Sequence, residues 1–441
     1  MKKILKLFLA LSMSIVLFGC SQKGSETLKG TYDIQIDGYD WGCGTSKVII
    51  SLDYQLDAIS VDDLKVTETK QMTDFSKAPE FPVIETTVDR EITDAYLCNE
   101  NGEKVDDPSK YVALELYVSP NDGNPLLFTM STQLNTWSNP YYLTITKSDT
   151  AQLTSDGKEV KELTIDTTYN AKTTAADSFK TDSFEATDGI KYNYAYFEPT
   201  EKTDTLVVWL HGLGEGGTEN TDPSITLLAN KVTALASEEF QNTVGNAYVL
   251  VPQCPTYWMD SDGTQSNFNN GSIVADGTSF YAQSLDELID SYKEKCGATK
   301  VVIAGCSNGG YMTMVMAIAH PEKYDAIVPI CEALPNEKMS DQQIESIKDL
   351  PMYFIYSKDD TTVDPTLHEI PTIQRLKDVG ATNIHVSTTD HVIDMSGEYK
   401  DEEGNAYQYM GHWSWIYFDN NDSSCDDCSL KAWEWIAEQV K

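Results

Sequence analysis

The chain has 441 residues, 41% of them hydrophobic and 23% charged, which is globular composition on a length that suits more than one folded unit. Its 69 acidic residues outweigh 32 basic ones, for a formal net charge of -37. A field of that sign repels phosphate backbones, which excludes nucleic acid as a partner and disfavours strongly anionic substrates.

The first nineteen residues read as a processing signal. Lys2, Lys3 and Lys6 form a basic start, and Leu7 to Phe18 is an apolar core too short to span a bilayer. The stretch closes on Leu17-Phe18-Gly19-Cys20, which resembles the lipobox of bacterial lipoproteins. That resemblance implies a lipoprotein signal peptide over 1–19, a diacylated Cys20, and a short tether over 20–27. The expected location is secreted, on the bacterial cell surface, with the lipid as the only membrane anchor.

Residues 28–175 read as all-β. Lys47 to Leu56 and Tyr111 to Val118 are β-rich, Leu126 to Met130 and Tyr141 to Ile145 add short apolar runs, and Asn101-Gly102 and Asp122-Gly123 supply turns. No stretch there has a helical period. The segment holds Arg90, one of two arginines in the chain, and no histidine. It carries no catalytic constellation, so a β-sandwich for support, substrate positioning or oligomer contact is expected. The rest of the chain should hold a complete site without it.

Residues 176–441 change pattern. Strands are expected at Tyr192 to Phe197, Thr205 to Leu210, Tyr248 to Val251, Val301 to Ala304, Ala326 to Ile330, Met352 to Tyr356 and Ile384 to Ser387. Helical spacing falls between them, at Leu285 to Tyr292, Tyr311 to Ala319, Asp341 to Ile347 and up to Arg375, and Leu430 to Val440 closes the chain. Strands alternating with helices predict a parallel α/β sheet.

The sharpest local signal is Gly305-Cys306-Ser307-Asn308-Gly309, between a buried strand and an apolar helix. A strand that turns abruptly into a helix lifts a serine hydroxyl above the sheet, and the flanking glycines permit the tight turn. Ser307 is therefore the expected nucleophile, with Cys306 a packing or disulfide residue. A tetrahedral intermediate needs oxyanion donors. The backbone N–H of Asn308 is one; the loop His211-Gly212-Leu213-Gly214-Glu215 supplies the other at Leu213, with Gly214 the alternative. His211 itself is expected to be structural.

A serine on such an elbow is followed in the chain by its acid and then its histidine. After Met352 to Tyr356 come Asp359 and Asp360, and strand geometry alone does not choose between them. Downstream lie His385, inside a strand and read as packing or surface, His391, and His412 in a loop before the last helix, where the base belongs. Trp413, Trp258, Tyr257 and Trp415 are expected around a substrate cleft. Eight cysteines remain beyond Cys20. Cys425 and Cys428 have the spacing of half a metal site or a redox pair, but no second cysteine pair or histidine cluster lies close in sequence, so no metal is expected and a local disulfide or free thiols are at least as good a reading.

Four stretches carry a specific resemblance: His211-Gly212-Leu213-Gly214-Glu215, Gly305-Cys306-Ser307-Asn308-Gly309-Gly310-Tyr311-Met312, Asp360-Thr361-Thr362-Val363 and Gly411-His412-Trp413-Ser414-Trp415. Residues from about 185 to 440 resemble the esterase and predicted-peptidase branch of the bacterial α/β-hydrolases, related to the polyhydroxybutyrate-depolymerase-like and phospholipase/carboxylesterase groups. In that family the acid precedes two residues and a valine, which selects Asp360, and the histidine lies between glycine and tryptophan, which selects His412. The N-terminal part resembles the immunoglobulin-like domain that precedes this hydrolase in some bacterial esterases. Where that domain carries Trp-Gly-Pro, this chain has Trp41-Gly42-Cys43. The resemblance implies an α/β-hydrolase catalytic domain over 176–441 behind an immunoglobulin-like sandwich over 28–175. It implies a serine carboxylesterase acting without metal or organic cofactor on small-molecule or polysaccharide-linked neutral esters. A serine peptidase with the same triad is the first alternative, and a catalytically inactive surface binding protein the second.

Overall fold

The computed structural model describes residues 24–217, 221–264 and 273–441. Cys20, the expected lipidation point, lies outside them. No helix among the described residues is long and apolar enough to cross a membrane.

The N-terminal half is built from strands whose side chains alternate between core and solvent. In Thr27–Tyr39 the residues Tyr32, Ile34 and Ile36 are buried, and in Gly42–Leu56 so are Val48, Ile50 and Leu52. The two strands pair antiparallel with Tyr32 opposite Ile50 and Ile34 opposite Val48, so one face of the ribbon is continuous apolar surface. Ser109–Leu116 and Ile92–Cys98 extend this sheet, and a second sheet of Val83–Arg90, Leu64–Thr73 and Tyr141–Lys147 contributes Leu64, Val66, Leu143 and Ile145 to the same core. This is the expected immunoglobulin-like, mostly antiparallel domain.

Its core contains a charge cluster. Arg90 pairs with the wholly buried Glu68 and donates to the carbonyls of Thr45 at 2.9 Å and Tyr117 at 2.8 Å. Lys70 adds a second contact to Glu68 at 2.7 Å. Removing one partner of a buried pair strands the other charge, which costs about 3–5 kcal/mol. Arg90→Ala is therefore expected to lose stability on that scale in urea unfolding. The double variant Glu68→Gln/Arg90→Met should recover much of it, and an unchanged midpoint for Arg90→Ala would contradict the cluster's role.

In the second half, eight strands form one sheet. They are β1 (Lys180–Glu185), β2 (Lys191–Phe197), β3 (Thr205–Leu210), β4 (Tyr248–Gln253), β5 (Lys300–Cys306), β6 (Ala326–Ile330), β7 (Met352–Ser357) and β8 (Ile384–Thr389). The spatial order is β1-β2-β4-β3-β5-β6-β7-β8. Only β2 runs against its neighbours; from β4 to β8 every pairing is parallel. Every residue of β3, β6 and β7 is buried, the mark of strands covered on both faces. The principal helices are α1 (Ala282–Cys296), α2 (Asn308–Ala319), α3 (Glu369–Asp378) and α4 (Ala432–Gln439). This is the α/β-hydrolase core that the sequence predicts. The chain leaves β3 toward β4 on one side and leaves β5 toward β6 on the other, so the loops after β3 and β5 flank a crevice at the carboxyl ends of the strands. Leu210 is in register with Gly305, which brings both loops off the sheet at one level.

Candidate active site

β5 ends at the elbow. Ser307 has φ 54° and ψ -116°, a backbone conformation that a non-glycine residue holds only under constraint from its surroundings. The neighbours supply that constraint. A Cβ at Gly305 would come within 2.7 Å of the Leu210 carbonyl oxygen, and one at Gly309 within 1.9 Å of the same atom. The two glycines of the motif are thus required by the closeness of β3 to the turn. Ser307 stays partly exposed, while Cys306 is buried and its thiol free.

Three side chains from separate loops meet there. Ser307 Oγ lies 2.9 Å from His412 Nε2, and His412 Nδ1 lies 2.7 Å from Asp360 Oδ2. The other Asp360 oxygen accepts the backbone N–H groups of Thr362 at 2.8 Å and Val363 at 2.9 Å. These amides turn Asp360 inward and fix its orientation toward His412. His412 is buried, with Trp415 edge-on to its ring at 5.6 Å. Gly411 precedes it because a Cβ there would stand 2.3 Å from Asp359 Oδ1.

The neighbouring acid and histidine make a separate pair. Asp359 Oδ2 is 2.7 Å from His391 Nδ1, and Asp359 Oδ1 accepts from the Ser357 hydroxyl at 2.6 Å. Against the penalty of partial burial, hydrogen bonds from Ser357 and His391 hold the Asp359 carboxyl below its ordinary range. Among the described residues, no hydrogen bond or ion pair joins this outer pair to Ser307.

The loop after β3 carries a short 3-10 turn, Leu213–Glu215. A Cβ at Gly212 would lie 3.7 Å from Cys306 Sγ, so the loop runs beside the elbow. Asn308 opens α2, where the first N–H groups have no acceptor within the helix and the macrodipole is positive. His211 is structural in geometry. It accepts the Cys254 N–H on Nε2 at 2.9 Å and faces the Gly212 carbonyl through Nδ1 at 2.6 Å. Burial pushes its pKa down to about 4, so the 3.9 Å approach to Glu215 is not an ion pair. Burial raises the Glu215 carboxyl to about 7.

Ser307, Asp360 and His412 all come from the second half of the chain, but the first half touches this loop, which sequence reasoning did not anticipate. The hairpin Leu126–Thr129/Leu134–Trp137 leans on it. Asn135 donates to Glu215 at 3.3 Å, a Cβ at Gly217 would strike Leu134 at 2.4 Å, and Gly214 faces Asn135. Trp137 donates to Asp222 at 2.7 Å just beyond. No sequence pattern marks this hairpin as a neighbour of the site.

Of the four aromatics expected at a cleft, Trp258 and Tyr257 are wholly buried. Trp258 donates to the His211 carbonyl at 3.2 Å, its own amide donates to Asn308 Oδ1 at 2.8 Å, and Tyr257 reaches the Thr132 carbonyl of the hairpin at 2.5 Å. They hold the loops together rather than presenting a face to solvent. Trp415 packs beneath His412, and only Trp413 is partly exposed. A cavity of about 420 Å³ between the two domains, with Asp40, Trp41, Lys231 and Tyr399 in its wall, includes none of Ser307, Asp360 and His412.

Two buried acids lie behind the elbow. Glu332 follows Cys331, and Glu369 opens α3; burial, then their mutual repulsion for Glu332 and the nearby Asp360 for Glu369, push both carboxyls well above the usual range. Among the described residues no Lys, Arg or His pairs with either. A raised folded pKa gives a contribution that is whole below the unfolded value near 4.5 and is lost as pH climbs toward the folded value. Glu369→Gln removes that loss, so its Tm should exceed that of the parent at pH 8 and match it near pH 4. A gain that grew toward acid pH would reverse the assignment.

Residues 193–397 match the family model described as Phospholipase/Carboxylesterase, and residues 31–161 match the Esterase Ig-like N-terminal domain. No curated protein matches the chain. A crystal structure of a thermostable esterase is 23% identical, covers 93% of this chain and 99% of its own, and superposes with a TM-score of 0.69, which shows the same two-part fold. A ferulic acid esterase and Est1E from Butyrivibrio proteoclasticus are each 14% identical over 48% of this chain, covering 90% and 88% of their own. Their TM-scores are 0.37 and 0.33.

Proposed function

We propose, for a chain whose residues 193–397 belong to the phospholipase/carboxylesterase family behind an esterase Ig-like N-terminal domain, the activity of a serine carboxylesterase with Ser307, His412 and Asp360 as its triad. The observation that carries this reading is the 2.9 Å approach of Ser307 Oγ to His412 Nε2 with Asp360 on the far nitrogen.

His412 takes the Ser307 proton as the oxygen attacks an ester carbonyl, and Asp360 holds the proton of the other ring nitrogen and steadies the imidazolium. Backbone N–H groups of Asn308 and Leu213 receive the oxyanion, with Gly214 the alternative to Leu213. The alcohol leaves with the proton from His412. Water, deprotonated by His412, then attacks the acyl-enzyme and frees the acid. In this scheme the N-terminal hairpin steadies the oxyanion loop, and Trp413 is the aromatic left to meet substrate. The net charge of -37 favours neutral esters. Lipidation at Cys20 would hold the enzyme on the cell surface, where acyl esters of polysaccharides are the substrate class.

The test is a panel of p-nitrophenyl esters of rising acyl length, acylated polysaccharides and a peptide-amide library, with a fluorophosphonate probe and peptide mapping. Ester turnover with the probe on Ser307 is expected. Amide turnover exceeding ester turnover would favour a peptidase, and probe-inert protein would favour a binding role.

A further inference from the structure

The sequence shows Cys425 and Cys428 without a partner nearby, and the fold brings one to them. His385, on the edge strand β8, directs Nδ1 at both sulfurs, 3.5 Å from Cys425 Sγ and 3.5 Å from Cys428 Sγ. The three donor atoms lie within 4.8 Å of one another. Zinc–sulfur bonds of about 2.3 Å and zinc–nitrogen bonds of about 2.0–2.1 Å at tetrahedral angles put sulfur and nitrogen roughly 3.6 Å apart. The observed spacing is that of ligands around one ion. A disulfide between the cysteines would give no reason for an imidazole nitrogen to stand equally close to both sulfurs.

The site is held in shape by contacts of its own. Asp426 donates its backbone N–H to the Val386 carbonyl at 2.8 Å, and its carboxylate accepts the Thr388 amide at 2.9 Å and hydroxyl at 2.7 Å. The Ser424 amide reaches Ser387 Oγ at 3.0 Å. These bonds dock the cysteine turn beside His385 without using any of the three donors. Ser429 then takes φ 57°, and the chain folds back so that the Cys425 amide donates to the Leu430 carbonyl at 3.0 Å and the Ser429 amide to the Cys425 carbonyl at 2.9 Å. Tyr353 stacks on the His385 ring at 6.0 Å and donates to the Leu430 carbonyl at 2.8 Å, fixing ring and turn together.

We propose that His385, Cys425 and Cys428 form a zinc site that staples the segment before α4 to β8, with the fourth position facing solvent beside the exposed Cys428. Binding deprotonates both thiols and releases two protons to water, so the site fills better as pH rises. It is separate from the triad and takes no part in ester cleavage. Its role is to tie down the C-terminal edge of the sheet.

The test uses the full chain. Metal analysis of the purified protein is expected to find one zinc per chain. Cobalt exchanged into the site should give the visible absorption of a tetrahedral thiolate complex. Cys428→Ser, at an exposed position that should fold normally, and His385→Asn should each bring bound zinc to background, while Cys296→Ser keeps it. A chelator should lower the Tm of the parent and leave that of Cys428→Ser unmoved. Two thiols that titrate freely without bound zinc after zinc is supplied, or a Cys425–Cys428 disulfide with no zinc, would overturn the proposal.

Discussion

His412→Ala is expected to lower kcat/KM for a p-nitrophenyl ester by roughly 10⁶-fold, the scale on which serine hydrolases fall when the base is removed. The geometry behind this is the 2.9 Å contact between Nε2 and Ser307 Oγ. Without the imidazole the hydroxyl stays protonated, and among the described residues His412 is the one base hydrogen-bonded to it. His391→Ala is the control. That ring is exposed and faces Asp359, so its loss should leave turnover within a few-fold of the parent. Circular dichroism on both variants separates chemistry from folding. An inactive His391→Ala beside an active His412→Ala would require a different site.

Asp360→Asn is expected to cost about 10⁴-fold in kcat, the scale on which a serine protease falls when its triad acid is made neutral. The amide nitrogen of the new side chain donates to Nδ1 and drives the ring into the tautomer that cannot accept the serine proton. The shape of the loop should survive, because the Thr362 and Val363 amides keep an oxygen to bind. Asp359→Asn should be mild by comparison, since its partners are Ser357 and His391. Steady-state kinetics on the two variants decide between adjacent residues. A crippled Asp359→Asn with Asp360→Asn near normal would move the acid by one position.

The pH dependence expected for Glu369→Gln concerns stability, and the loss expected for Arg90→Ala concerns the other domain, so neither overlaps these two results. Both rest on the same physics: a charge taken out of water is tolerated only where a partner or a proton compensates it.

Much of this protein is legible in the sequence because the signals are local. Thr205 to Leu210 reads as a buried strand because parallel strands covered on both faces carry near-continuous apolar side chains. Gly305 to Gly309 reads as an elbow because only glycine admits the contact with the Leu210 carbonyl. The order of serine, acid and histidine follows from the order of strands. What the sequence could not separate were choices that depend on where distant segments meet. Asp359 and Asp360 are adjacent and alike, and the amides of Thr362 and Val363 against the hydroxyl of Ser357 decide which turns inward. Trp258 and Tyr257 look like any aromatics near a loop until the hairpin around Leu134 and Asn135 closes over that region from the other domain. His385 lies 40 positions from Cys425, and only the docking of residues 424–428 along β8 brings the imidazole and two sulfurs to one point. Periodicity and turn chemistry act over a few residues, whereas a side chain's partner across the fold is set by packing, and packing exists only once the chain has closed.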